Sequence, residues 1–271
     1  MKIFEIASAQ NPKIKEVALL LEKSRERRKE GLFVVEGLRE IRACLRNGYK
    51  VRSVFYNACI LAAEEIVKMF PAGVDADVAL FSLSEAAYSK IAYRENTEGV
   101  VAVVEQKRLQ LGDVVFGRRW SKPLVLVVES VEKPGNLGAL LRTADACGVD
   151  AVLVCDPLTD LYNPNLIRSS LGGIFTNQVV ACSNEEALGW LRANSINIFT
   201  AQLQDSQWYY NTDMVSPTAI VMGTESTGLT DFWREASNAK IKIPMLGELD
   251  SLNVSVSAAV LCYEAVRQRN L

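Results

Sequence analysis

Three short stretches gather the side chains and glycines suited to chemistry. The first runs from Pro134 and Gly135 through Asn136 and Gly138 to Arg142. The second is Gly223-Thr-Glu225-Ser-Thr-Gly228, directly after the apolar run Ala219–Met222. The third, Ser251-Leu252-Asn253-Val254-Ser255, comes after Ile241-Lys-Ile-Pro244 and a polar loop. In each, a β-type run gives way to a turn and then to a helix, which is where the sheet of an α/β protein binds ligands. The chain contains no histidine, so Ser-His-Asp and Cys-His arrangements and all histidine metal sites are excluded. Chemistry here must come from positioning, backbone dipoles, Arg, Lys or carboxylates. Reactions whose activated group arrives on a cofactor suit that restriction.

Each stretch also has an ordinary structural reading. Asn136 is suited to cap the helix that follows, and Arg142 and Asp145 then make a surface pair. Gly223 to Gly228 reads equally as a plain strand-to-helix loop, with Glu225 favoured by the helix dipole. Ser251 to Ser255 reads as a capped helix start. None of the three is a Walker loop or a G-x-G-x-x-G fingerprint.

The elements that must position these stretches follow from periodicity. Ile14 to Lys29 reads as one amphipathic helix stopped by Gly31, followed by strand Leu32–Val35 and helix Leu38–Asn47. Strand Val51–Tyr56, helix Ala62–Phe70, strand Val78–Ser82, a short helix capped at Ser84 and strand Gly99–Val104 complete a small α/β domain, residues 1–105. Residues 106–122, with Lys107, Arg108, Arg118, Arg119 and Lys122 around Gly112 and Gly117, read as a linker. A second α/β domain, 123–271, opens on the continuous apolar run Leu124–Val128, the pattern of a strand covered on both faces. It continues with helix Leu137–Cys147, strand Val149–Val154, a helix from near Leu166, strands Ile196–Gln202, Ala219–Met222 and Lys240–Ile243, and a last helix Asn253–Arg269. Periodicity alone makes this a doubly wound, Rossmann-like domain.

At 271 residues the chain is long enough for two such cores. No apolar run approaches the roughly 20 residues that span a bilayer, and the first residues lack a signal-peptide core; the expectation is a cytoplasmic protein. Six scattered cysteines without a C-x-x-C pair point to buried thiols rather than disulfides or zinc, and no metal is expected. Net charge is −2, yet Lys13, Lys15, Lys23, Arg25, Arg27, Arg28 and Lys29 crowd one region. Interleaved Glu22, Glu26 and Glu30 allow a solvated helix face laced with ion pairs; the alternative is a phosphate-contacting surface.

In this order, the three stretches resemble the signature motifs of the SpoU (TrmH-like) family of RNA ribose 2′-O-methyltransferases, in the SPOUT superfamily. Residues 1–105 are more loosely similar to the RNA-binding domain that precedes the catalytic half in rRNA-modifying members. The carriers there are Ser8 to Lys15, Phe33-Val-Val-Glu36-Gly37 and Gly99 to Val103. The resemblance implies a deep trefoil knot in the C-terminal domain, which periodicity would not suggest, and a homodimer through the knotted domain. It implies S-adenosyl-L-methionine as cofactor, contacted by Gly223, Ile243, Leu252, Met222 and Met245. The reaction site would be lined by Asn136, Arg142, Glu225, Ser251 and Asn253. Arg142 would engage the ribose 2′-hydroxyl; its high pKa favours binding and orienting over proton abstraction. RNA is the implied partner, ribosomal RNA first and tRNA as the alternative, with Lys13, Lys15, Arg25, Arg27, Arg28 and Lys29 as its candidate surface. A non-catalytic RNA-binding homologue is the reading from another class, and the presence of Asn136, Arg142, Glu225 and Asn253 speaks against it. One departure is Gly172-Gly173, more flexible than the connecting helix the family pattern places there.

Overall fold

The computed structural model describes residues 2–70, 78–93, 97–224 and 227–270. The chain first forms β1 (Lys2–Ile6), α1 (Pro12–Glu22), α2 (Ser24–Glu30), β2 (Leu32–Glu36), α3 (Leu38–Arg46) and β3 (Val51–Asn57). Next come α4 (Ala63–Val67), β4 (Ala79–Leu83), α5 (Glu85–Ser89), β5 (Val100–Glu105), β6 (Leu124–Glu129) and α6 (Pro134–Cys147). Then follow β7 (Ala151–Cys155), α7 (Pro164–Ser170), α8 (Gly173–Thr176), β8 (Val179–Cys182), α9 (Asn184–Ala193) and β9 (Asn197–Ala201). The last elements are β10 (Gln207–Trp208), β11 (Thr218–Met222), α10 (Asp231–Ala236), β12 (Ala239–Lys242) and α11 (Val254–Arg269). They divide into two units, Met1–Lys107 with Asp160–Phe175, and Arg108–Thr159 with Thr176–Leu271.

The first unit is built on a five-stranded sheet in the order β1-β4-β3-β5-β2. β1, β4 and β3 are parallel, and β5 runs antiparallel to both β3 and β2. Ile14, Val17 and Leu20 of α1 bury one face of this sheet together with Val34, Phe55, Phe81 and Val101. The single helix expected over 14–29 is broken at Lys23, which is extended (φ −111°, ψ 110°). The break frees the last carbonyls of α1, and Arg27 of α2 turns back to cap them. Its Nη1 donates to Leu20 O at 2.6 Å and Leu21 O at 3.0 Å.

Residues 160–175 pack on the first unit, which the sequence reading did not anticipate. Asp160 Oδ2 accepts from Arg27 Nε at 2.6 Å, and the Tyr162 ring lies 4.3 Å from that of Phe33. The Gly172-Gly173 pair breaks the expected helix in two: Leu171 and Gly172 both have positive φ (52° and 92°) between α7 and α8. A side chain on Gly172 would come within 3.3 Å of Ala43 Cβ, so glycine supplies both the turn and the close approach. The second unit begins inside the expected linker: Leu109, Leu111, Val114 and Phe116 pack against its core. Basic residues and glycines mask that apolar spacing in the sequence.

The second unit holds a seven-stranded sheet in the order β10-β12-β9-β11-β6-β7-β8, every neighbouring pair parallel. β6, β7 and β11 are buried at every position, as continuous apolar runs require. The C-terminal helix α11 packs on α6 and β11. Its end is fastened by Arg269, whose guanidinium donates to the carbonyls of Met214, Lys122, Pro123 and Ser216 at 2.6–3.0 Å. Burial pulls the Arg269 pKa below the usual arginine value, opposed by the charges of Asp150 and Asp213. Among the described residues no helix is long and apolar enough to cross a membrane, and no His/Cys/Asp/Glu group is arranged for a metal ion. The six cysteines are free thiols, four of them buried.

Candidate active site

β9, β11 and β12 deliver their carboxyl ends to one cleft of about 290 Å³ in the second unit. Its lining includes Met222, Gly223, Ile243, Met245 and Leu252, the five residues expected to contact a cofactor, along with Ser251. β11 stops at Met222 and the chain turns sharply at Gly223. A Cβ on Gly223 would lie 2.3 Å from Gly228 C, 2.4 Å from Gly228 O and 2.4 Å from Leu229 N. The turn is closed by reciprocal backbone bonds between Thr224 and Gly228, both 3.1 Å, and by the Thr224 and Thr227 hydroxyls at 2.7 Å. Gly228 sits at φ 70°, the left-handed region. Glu225, within this turn, lies outside the described residues.

A smaller crevice of about 70 Å³ adjoins the cleft, lined by Val131, Glu132, Lys133, Asn136, Gly223, Thr224 and Val254. Gly223, Thr224 and Val254 line both spaces. Asn136 is not the helix cap expected of it: Pro134 takes the first helical position, the cap is Lys133, and Asn136 is the third residue of α6. Its side chain is thereby left for the crevice, where its Oδ1 accepts from Asn253 Nδ2 at 3.4 Å. Asn253 itself caps α11, its Oδ1 accepting from Ser255 N at 3.0 Å and Ser255 Oγ at 2.6 Å. Residues 117 positions apart thus meet at one lip. Arg142 is exposed on α6 and outside both linings, about 9 Å along the axis from Asn136 at 1.5 Å per residue. The expected Arg142–Asp145 pair is not among the ion pairs of the described residues; Asp145 instead accepts from Thr176 Oγ1 at 2.5 Å.

Of the basic residues proposed to face RNA, Lys13, Lys15, Arg25, Arg28 and Lys29 are exposed. Arg27 is not: its side chain is 2% exposed and paired with Asp160, so it is a structural cation and is withdrawn from that surface. Lys29 is engaged by Glu30 at 2.8 Å and Glu26 at 3.8 Å, and the Glu30 hydrogen bond raises its pKa.

Three residues the sequence reading missed also shape the site. Glu129, at the end of β6 and 1% exposed, accepts from Thr230 N (2.9 Å), Thr230 Oγ1 (2.6 Å) and Asn184 Nδ2 (3.0 Å). It ties the Gly223–Thr230 loop to β6 and to the start of α9. A charge closing an otherwise apolar buried strand was the available signal. Gln202 and Arg234 line the cleft as isolated polar residues that no motif marks.

A parallel sheet with a cleft at its carboxyl edge and a polar crevice beside it is the arrangement in which α/β proteins bind ligands. Residues 123–263 match the model of the SpoU rRNA methylase family, and residues 11–102 that of the MRM3-like substrate binding domain. The chain belongs to the SpoU rRNA methylase family. It is 29% identical over 259 residues to the Bacillus subtilis 23S rRNA (guanosine(2553)-2′-O)-methyltransferase RlmP, covering 96% of this chain and 98% of that one. The 23S rRNA (guanosine-2′-O-)-methyltransferase RlmB of Vibrio parahaemolyticus is 31% identical over 233 residues, 79% of this chain and 90% of the relative. Among solved structures, an RNA 2′-O ribose methyltransferase is 38% identical with TM-score 0.83, covering 99% of this chain and 100% of that one. The SpoU methyltransferase AviRb of Streptomyces viridochromogenes, in complex with AdoMet, is 27% identical with TM-score 0.84, covering 96% and 99%.

Proposed function

We propose that the two adjoining spaces divide one reaction between them, the cleft holding the methyl donor and the crevice receiving the ribose. The protein is an S-adenosylmethionine-dependent RNA ribose 2′-O-methyltransferase acting on ribosomal RNA. The observation that carries the division is the shared wall: Gly223, Thr224 and Val254 border both spaces. The cleft suits the cofactor chemically. Met222, Ile243, Met245 and Leu252 offer apolar surface for a nucleobase, Gly223 lets backbone approach closely, and Gln202 Oε1 and Arg234 Nε are buried polar atoms with no protein partner among the described residues. When bound, S-adenosylmethionine would supply an electrophilic methyl on a sulfonium: the ribose 2′-oxygen would take the methyl, the thioether S-adenosylhomocysteine would leave, and the hydroxyl proton would pass to solvent.

The chain's own contribution is orientation. Asn136 and Asn253 hold the ribose edge with Ser251 beside them, and Glu225 is assigned to the same centre by the family motif. Arg142, exposed outside both linings, binds RNA phosphate and so orients the ribose from outside the crevice. The exposed Lys13, Lys15, Arg25, Arg28 and Lys29 form a candidate RNA surface of the first unit itself. We also propose a homodimer, formed through the second unit. Leu246 and Leu249, 99% and 75% exposed, precede α11, on which Val256 and Tyr263 are also exposed and seven residues apart, on one face. The C-terminal chain is proposed to be knotted, and the protein to work in the cytoplasm. The test is Arg142→Ala: methyl transfer to ribosomal RNA should be lost while cofactor affinity and thermal stability stay at wild-type values. Arg142→Lys should rescue poorly, because a point charge does not reproduce the planar fork. Wild-type turnover in Arg142→Ala, measured by 2′-O-methyl mapping across total RNA, would remove Arg142 from the mechanism.

A further inference from the structure

The donor cleft contains two cationic side chains among its described lining, Lys242 and Arg234. Lys242 is already occupied, its Nζ lying 4.9 Å from the centre of the Trp208 ring. Arg234 is not. Its Nε is buried and has no hydrogen-bond partner among the described residues. Among the described residues its one ion-pair partner is Asp231, 85% exposed and 3.6 Å from Nη1, a loose contact in water. The Arg234 side chain as a whole is 30% exposed, and its Nη2 would lie 3.8 Å from a Cβ placed on Gly228. The same cleft presents the opposite deficiency at Gln202: Nε2 donates to Gln204 O at 2.9 Å, while Oε1 is buried and unmatched. Buried polar atoms are paired in native proteins by protein, water or ligand, so a cleft with one spare cationic donor and one spare acceptor awaits a ligand end carrying both an anion and an N–H donor.

On the methyltransferase reading, we infer that Arg234 binds the carboxylate of the amino-acid end of the cofactor, with Gln202 Oε1 accepting from its ammonium. Carboxylate rather than nucleobase is favoured by charge: guanidinium pairs with carboxylate through two parallel N–H···O bonds, and a neutral base offers no such partner. Arg234 then sets cofactor affinity through the part of the ligand that does not react, as a binding residue remote from the methyl.

The experiment compares two ligands by calorimetry. S-adenosylhomocysteine carries the amino-acid end, and 5′-methylthioadenosine keeps the nucleoside and sulfur but lacks it. Arg234→Met should weaken S-adenosylhomocysteine on the order of 10- to 100-fold, the range of a charged hydrogen bond, and change 5′-methylthioadenosine by less than about twofold. Arg234→Lys, which keeps the charge, should lie between and serves if the Met variant unfolds. Equal weakening of both ligands, or of neither, overturns the assignment, since Arg234 would then read the nucleoside or only support the loop. Failure of the wild type to bind either ligand would be a different result, sinking the cofactor reading itself.

Discussion

Replacing Gly223 by alanine tests how tightly the proposed donor cleft is built. The added Cβ would meet three backbone atoms, Gly228 C and O and Leu229 N, at 2.3–2.4 Å. No side chain can swing aside, so the backbone must open by about 1 Å to reach ordinary carbon contact distances of 3.5 Å or so. Opening strains the reciprocal Thr224–Gly228 bonds, both 3.1 Å. Overpacking costs about 1–3 kcal/mol, and two backbone hydrogen bonds contribute about 0.5–1.5 kcal/mol each. The sum is about 2–6 kcal/mol of lost stability, and the displaced wall lowers cofactor affinity besides. Glu129 limits how far the loop can yield, because it holds Thr230 through both backbone and hydroxyl. The expected outcome is a Tm lowered by at least about 4 °C, with affinity for S-adenosylmethionine falling at least tenfold in calorimetric titration. An alanine variant that binds the cofactor normally and melts within a degree of wild type would refute the claim that this turn requires a glycine.

Arg27 and its neighbours should behave oppositely. Arg27→Ala strands the partly buried Asp160 carboxylate and two carbonyls of α1, and should cost about 3–5 kcal/mol in urea unfolding, whereas Arg25→Glu with Arg28→Glu should leave stability nearly unchanged. The double variant should instead weaken RNA binding and flatten its salt dependence by about 0.7 per lost phosphate contact; identical salt slopes would make the helix a solvated surface only. For the dimer, Leu246→Glu with Leu249→Glu should give monomers in sedimentation, and an unchanged mass would place the subunit contact elsewhere.

The first unit shows why charge runs mislead. Lys23 to Lys29 looks like one exposed basic face because sequence records charge but not the open carbonyls at the end of a helix. Once Lys23 breaks the helix, Arg27 is aimed at those groups and its charge is used internally, while Arg25 and Arg28, two residues before and one after, remain in solvent. The elements that went unread fail for related reasons. β1 has four exposed positions and one buried, so no apolar alternation marks it, and β10 is two residues long. α9 also went unread, although it carried a signal: Ser183 and Glu186 form a capping box at its start.

The site was legible where its residues cluster in turns and illegible where they act alone. Gly223, Ser251, Leu252 and Asn253 sit in contiguous loops whose composition departs from that of helix or strand, and they converge because parallel strands all present their carboxyl ends to one edge. Glu129, Gln202 and Arg234 each stand singly among ordinary neighbours, and only the strand order β12-β9-β11-β6 brings their elements side by side. That order also determines what a substitution there would do. A change at Asn136 or Asn253 alters one lip of the crevice, whereas loss of Glu129 releases the loop that walls both cleft and crevice, so its effects should reach donor and ribose together although Glu129 lines neither space.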